Sequence, residues 1–228
     1  MIKTIYSRYD KERIASLPVV TFPGRIIVVS GEYEAERAAR FLLTQPILGI
    51  DTETKPTFKR GQHTKVSLLQ VSTPETCFLF RLNHIGMLPS IIRLLSDSNV
   101  PKVGLSLHDD INSLHRRADF EPGAFVDIQE LVGQLGVKDM SLQKLYANLF
   151  GQKISKRQRL TNWNADVLTE AQKLYAATDA WACINLYNEI RRLKQTGDYQ
   201  LICVEQSDSS EEKTTASDDF TLGYSPER

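Results

Sequence analysis

Six side chains in this 228-residue chain are of a type and spacing that could do chemistry: Asp51, Glu53, Asp109, Asp110, Tyr175 and Asp179. Asp51 and Glu53 close ILGIDTE (Ile47–Glu53), whose apolar start reads as a buried strand. Side chains alternate faces along a strand, so these carboxylates point the same way and repel each other. A hard divalent cation held by oxygen ligands is the simple partner for such a pair. The plainer alternative is a solvated strand end where a turn begins. Tyr175 and Asp179, in KLYAATDAWACINLY, are four apart and share one helical face. Ala176, Ala177, Ala180 and Ala182 surround them and allow close packing. An Asp on an apolar helix face is costly to bury alone. A structural hydrogen bond with Tyr175 is the bland explanation. Acids drawn from three separate segments build a poor core. They can instead hold two divalent cations about 3.5–4 Å apart for in-line displacement at phosphorus.

The third segment, VGLSLHDDINSL, offers two acids where a strand gives way to a helix. Function gathers at strand ends in open α/β sheets, and an acid there also suits a helix cap and the helix dipole. With the strand ending near Leu107 and the helix running Asp109–Ala118, Ile111, Leu114 and Ala118 mark the inward face. Asp110 leans with them toward the other acids. Asp109 lines up with the polar Asn112, Ser113 and Arg116 and is placed to cap the first turn.

The elements that must position these groups are legible from pattern. Strands are expected at Gly24–Ser30, Ile47–Glu53, Val66–Ser72, Thr76–Leu82, Pro101–Leu107 and Ala124–Ile128. The third and fourth form an antiparallel hairpin, and the early strands run largely as a meander. Helices are expected at Glu32–Thr44, Leu88–Leu95, after Ile128 to Leu135, Ser141–Phe150 capped by Ser141, and Leu168–Gln195. The last is capped by Thr169 and stopped by Gly197. Strands first, then strands alternating with helices, imply an α/β domain with a mixed central sheet and helices on both faces. Residues 1–24 read as an N-terminal arm, 25–204 as the domain, and 205–228 as a disordered acidic tail with too few apolar residues to pack.

Composition narrows the class. The formal net charge is zero, so no global charge announces a polyanion partner, but cations cluster in two loops. Lys55, Lys59, Arg60 and Lys65 follow the DTE, and Lys153, Lys156, Arg157 and Arg159 precede the last helix. If both loops flank the acids, they form a groove for a single nucleic-acid strand, with Phe58 available to stack on a base; alone, each is a solvated loop. Cys77, Cys183 and Cys203 are odd in number and lack CxxC spacing. That argues against a disulfide framework or zinc site and fits a reducing, cytoplasmic setting. No signal peptide and no membrane span of about 20 apolar residues is evident.

The motifs together resemble the DnaQ-like, DEDD-type 3′–5′ exonucleases of ribonuclease H-like fold. Asp51-Thr52-Glu53 matches the first motif, GLSLHDD around Asp110 the second, and Tyr175 with Asp179 the third. The tyrosine places the chain in the tyrosine-containing subgroup. KVSLLQVS, SLQKL, Asn162–Trp163 and LTEAQKLYAATDAWA are similar to the ribonuclease D-like branch that includes the Werner-syndrome exonuclease domain. The resemblance runs from about Ile26 to Leu193. It implies metal-dependent 3′–5′ exonuclease activity on DNA or RNA, releasing nucleoside 5′-monophosphates. It implies two Mg²⁺ ions, replaceable by Mn²⁺, on Asp51, Glu53, Asp110 and Asp179. In that scheme Asp51 bridges the ions and Glu53 and Asp179 complete the first site. Tyr175 aims the attacking water, and Asp110 supports the second ion, which faces the leaving 3′-oxygen. Ribonuclease D proteins usually carry helical nucleic-acid-binding domains after the nuclease; the acidic tail stands there instead, so a stand-alone nuclease domain is expected. The implied partner is single-stranded or 3′-terminal nucleic acid, bound by Lys55, Lys59, Arg60, Lys65, Lys156, Arg157 and Arg159. The competing expectation is a catalytically weak binding or interaction module on the same fold.

Overall fold

The computed structural model describes residues 2–57 and 64–204. Phe58, Lys59 and Arg60, expected to meet nucleic acid, and the acidic segment from Glu205 therefore lie outside the described residues. Chain order runs β1 (Lys3–Tyr6), α1 (Lys11–Ala15), β2 (Arg25–Val29), α2 (Glu32–Leu42), β3 (Leu48–Thr54), β4 (Val66–Ser72) and β5 (Thr76–Phe80). Then come α3 (Leu82–Ile85), α4 (Pro89–Ser96), β6 (Lys102–Gly104), α5 (Leu107–His115), β7 (Phe125–Asp127) and α6 (Ile128–Gly133). The chain continues through α7 (Leu142–Phe150) and α8 (Glu170–Thr196) to β8 (Tyr199–Ile202).

Among the described residues, six strands form one sheet in the order β2-β5-β4-β3-β6-β7. Only β4 runs against the others. It is buried along its whole length, its polar Ser67, Gln70 and Ser72 included. The hairpin of β4 and β5 is present, turned by Thr73, whose hydroxyl accepts from the Thr76 amide at 2.9 Å. The meander, however, begins only at β3. β2 lies parallel to β5 at the sheet edge, two strands from its sequence neighbour β3. Parallel strands need a crossover, and α2 provides it.

One face of the sheet is covered by α2, α4 and α5, with Ile50, Leu69, Val71 and Phe80 facing Ala39, Leu94 and Leu114. The other is covered by α6, α7 and α8, with Val103, Leu68 and Leu79 facing Ile184, Ala176 and Ala177. The long α8 has a capping box at Thr169 and Gln172 and a left-handed stop at Gly197 (φ 69°). No described helix is long and apolar enough to cross a membrane.

The junction between β6 and α5 differs from the sequence expectation. β6 ends at Gly104 and α5 starts at Leu107, two residues before Asp109. Asp127, at the end of β7, takes the amides of Ser106 (3.2 Å) and Leu107 (2.8 Å). A carboxylate from a neighbouring strand thus does the capping expected of Asp109, which sits exposed within the first turn. The segment 1–24 also contains real elements: β1 pairs in parallel with β8, a strand not expected from sequence. Short strands of this kind depend on each other, and neither shows a strong pattern alone.

Candidate active site

The site lies where the C-terminal end of β3 meets the middle of α8. Gly49 makes that meeting possible. A Cβ built there would stand 2.0 Å from the Ala180 carbonyl oxygen and 2.9 Å from Ile184. Glycine in a buried strand marks a close backbone approach. With α8 seated directly on β3, residues on the same strand face as Gly49 reach Asp179. Those residues are Asp51 and Glu53. Their carboxylate oxygens and one of Asp179 all lie within 4.8 Å of one another.

Electrostatics make this cluster unusual. Burial, and then the charges of Asp110, Asp179 and Glu53, push Asp51 well above the ordinary carboxylate range. Burial with Asp179 and Asp110 nearby raises Glu53 to about 9, against a modest pull from Arg159. Burial raises Asp179 to about 7, opposed by hydrogen bonding with Tyr175 and by the charge of Lys156. Oδ1 of Asp179 is buried and has no hydrogen-bond partner among the described residues. Three crowded acids with an orphaned oxygen fit a divalent cation: oxygen-only donors, convergent, and short of positive charge.

Tyr175 stands one helical turn before Asp179. Its ring leans on the fully buried Trp163, centroids 6.0 Å apart. Burial and the charges of Asp179 and Glu53 hold its phenol protonated far beyond neutrality. It can therefore donate or share a hydrogen bond but cannot act as a base at ordinary pH.

Asp110 arrives from the other side of the strand. α5 packs on the face that carries Ile50 and Thr52. The Thr52 hydroxyl donates to Asp110 Oδ1 at 2.5 Å. Burial raises Asp110 to about 6, with the Thr52 bond working against that rise. Asp110 is thus outside the tight trio, yet its charge is felt by both Asp51 and Glu53.

The cation loops divide. The charge of Arg159 reaches Glu53 and that of Lys156 reaches Asp179. Arg157 lines a cavity of about 230 Å³ shared with Tyr175. Lys55 and Lys65 are exposed on the segments flanking the undescribed residues. The two loops are tied together: the Lys55 amide donates to Ser67 Oγ (3.3 Å), which donates to Asn164 Oδ1 (2.6 Å).

Sequence reasoning passed over four supporting residues. Gly49 carried a usable signal, a glycine inside a buried run. Asp127 did too, as an acid between a strand and a helix. Thr52 and Gln70 carried none. Gln70 lies opposite Asp51 in the β3–β4 register, fully buried, with both amide atoms unpartnered among the described residues.

The chain and its fold are similar to those of known proteins. Residues 26–194 match the family model of a 3′–5′ exonuclease. The chain is 30% identical over 194 residues to the bifunctional 3′–5′ exonuclease/ATP-dependent helicase WRN of Mus musculus, covering 79% of this chain and 14% of that protein. The fold is similar to that of the Nibbler EXO domain of Aedes aegypti (TM-score 0.71, 20% identity, 78% of this chain and 94% of the other). It is also similar to a Trypanosoma brucei RNase D solved in complex with RNA U12 (TM-score 0.64, 19% identity, 74% and 63%). The expected resemblance to the ribonuclease D and Werner-syndrome branch, and the ribonuclease H-like fold, both hold. The site at the end of β3 therefore sits in a domain of established kind, and the chain belongs to the 3′–5′ exonuclease domain family.

Proposed function

We propose that this domain hydrolyses the terminal phosphodiester at the 3′ end of a nucleic-acid strand and releases nucleoside 5′-monophosphates. The observation that carries the proposal is the trio Asp51, Glu53 and Asp179, with carboxylate oxygens within 4.8 Å of one another. These three, with Asp110, would hold divalent cations; Mg²⁺ is the natural ion, two per site, and Mn²⁺ should replace it. Bound there, such ions polarise phosphoryl oxygens and lower the pKa of water. The chain's own groups do the rest. Tyr175, fixed by Trp163, orients the attacking water through its hydroxyl. Thr52 fixes the Asp110 carboxylate by a hydrogen bond. Lys156 and Arg159 offset the charge of Asp179 and Glu53 and meet the phosphates of the 3′-terminal nucleotides.

The substrate is single-stranded or 3′-terminal nucleic acid, DNA or RNA. The mouse relative is named as an exonuclease and helicase and the trypanosomal structure holds RNA, so both sugars belong in the test. Purified protein with Mg²⁺ is offered end-labelled single-stranded DNA, duplexes with recessed or protruding 3′ ends, and RNA. The expected result is a ladder shortened from the 3′ end, abolished by EDTA. A ladder shortened from the 5′ end, or equal turnover in EDTA, overturns the proposal.

A further inference from the structure

A second basic surface lies beside the acids, built partly by residues outside the span of the family match. A groove of about 520 Å³ runs between α1 and the segment before α8. Its cations are Lys11, Lys153, Lys156 and Arg157, and no Asp or Glu lines it. Lys153 is committed to structure. Its ammonium donates to the Ala15 carbonyl, and its backbone pairs with Pro18 (2.9 Å) and Val20 (3.0 Å). These bonds stitch the N-terminal segment to the loop and make the groove one surface. Lys11, Lys156 and Arg157 are exposed and form no ion pair among the described residues. Lys156 feels the like charges of Arg159 and Lys11 from this surface and the opposite charge of Asp179 from the acids, so it stands between groove and site. A groove of one sign, with unpaired cations, is the electrostatic footprint of a polyanion site.

The groove also adjoins a cavity that reaches Tyr175. Ile154, Ser155 and Arg157 line both this groove and the smaller cavity bounded by Tyr175. We infer that the groove over α1 is a track for the phosphodiester backbone, holding nucleotides on the 5′ side of the bond to be cut. Lys11 and Arg157 are its phosphate contacts, and the N-terminal segment is thereby part of the substrate site. This inference rests on the nuclease reading above and extends it to a strand several nucleotides long.

The test uses the full-length chain in EDTA, so that binding is measured without cleavage. Fluorescence anisotropy follows a labelled oligothymidylate of about twelve nucleotides, within the usual single-strand site sizes, across a salt series. Lys11→Ala is expected to lower the slope of log K against log salt by about 0.7, the value for one phosphate contact on a single strand. Lys11→Glu is expected to weaken binding about ten-fold at low salt, and Lys11→Arg to restore it. With Mg²⁺ added, the loss caused by Lys11→Glu should be larger on the long strand than on a dinucleotide, which is too short to reach α1. An unchanged salt slope and affinity in Lys11→Glu overturns the track. Equal losses on dinucleotide and long strand overturn it as well, since they place the effect at the acids. Salt-dependent binding that falls in Lys11→Glu supports the track even if no strand is cut, so failure of the nuclease reading is seen separately in the cleavage arm.

Discussion

Helix α8 carries two acids that the fold treats in opposite ways. Glu189 accepts from Arg192 Nε at 2.8 Å and Nη2 at 2.9 Å, and also takes the Lys3 ammonium. Hydrogen bonds from Arg192, and then from Lys3, hold its carboxyl at about 2 despite partial burial. The same Lys3 donates to the Leu149 carbonyl at 2.9 Å, so Glu189 helps join β1, α7 and α8. Asp179, on the same helix, has a buried oxygen without a partner among the described residues and is pushed up to about 7. A carboxylate that holds structure is matched with donors inside the protein. A carboxylate left unmatched beside two others is held ready for positive charge from outside.

The strongest way to break this contrast is at Asp51. Asp51→Asn should cost about 10³-fold or more in single-turnover cleavage, in the range for loss of a major electrostatic group. Its melting temperature should hold or rise, because a like-charge repulsion is removed. Retention of most of the rate in Mg²⁺ would mean that the trio is structural. Asp110→Asn should also abolish cleavage without unfolding the protein.

Tyr175→Phe comes next. It keeps the ring on Trp163 and removes only the hydroxyl. Single-turnover rate should fall about 10²-fold, the usual range for a proton- or water-positioning group, with substrate affinity nearly unchanged. A normal rate with a lower melting temperature would assign the hydroxyl to stability instead.

Gly49→Ala tests the approach that creates the unmatched region. The added methyl meets the Ala180 carbonyl at 2.0 Å, and neither backbone can yield cheaply. Chemical denaturation should show a loss of about 1–3 kcal/mol, as for overpacking. Activity should fall too, since α8 must back away from β3. Full stability with full activity would show that the contact is not needed.

The pH dependence of stability should separate the two kinds of acid. For Glu53 and Asp179 the folded pKa lies above the ordinary values of 4.5 and 3.8. Their contribution to stability is present below those values and is lost as pH rises through about 9 for Glu53 and about 7 for Asp179. Glu189 has a folded pKa of about 2 against 4.5, so its contribution is present above 4.5 and is lost as pH falls. In EDTA, melting temperature should therefore drop from pH 6 to pH 9, and Mg²⁺ should restore it most at the alkaline end. Asp179→Asn should flatten that drop, whereas Glu189→Gln should lower the melt at neutral pH and leave the alkaline drop in place. A melt independent of both pH and Mg²⁺ in wild type would contradict the raised acids.

The smallest expected effect is at Asp109. It is exposed, lies inside the first turn of α5, and has lost its expected capping role to Asp127. Asp109→Asn should change neither cleavage nor melting measurably. A large loss of activity there would move the supporting acid from Asp110 to its neighbour.

Much of this site could be read from local pattern because its geometry is locally periodic. Strand alternation alone puts Asp51 and Glu53 on one face, and helical spacing alone puts Tyr175 over Asp179. The caps of α8 at Thr169 and Gly197 were equally legible, since capping is chemistry within a few residues. The strand order, the pairing of β1 with β8 and the start of α5 were not. Each depends on a partner distant in sequence: β5 for β2, β8 for β1, and Asp127 for Ser106 and Leu107.

The sequence by itself determined which side chains share a face, where the strands of the central sheet and most of the helices that cover it lie, and that the acids are too many for a stable core. Only the tertiary structure decided that the Gly49 face of β3, rather than the Ile50 face, receives α8. It also decided that Asp110 comes to the site from behind the strand, held by Thr52. The physical reason is that alternation specifies two faces without naming what covers either. Crossovers and the close backbone approach at Gly49 make that choice, and they act between residues far apart in the chain.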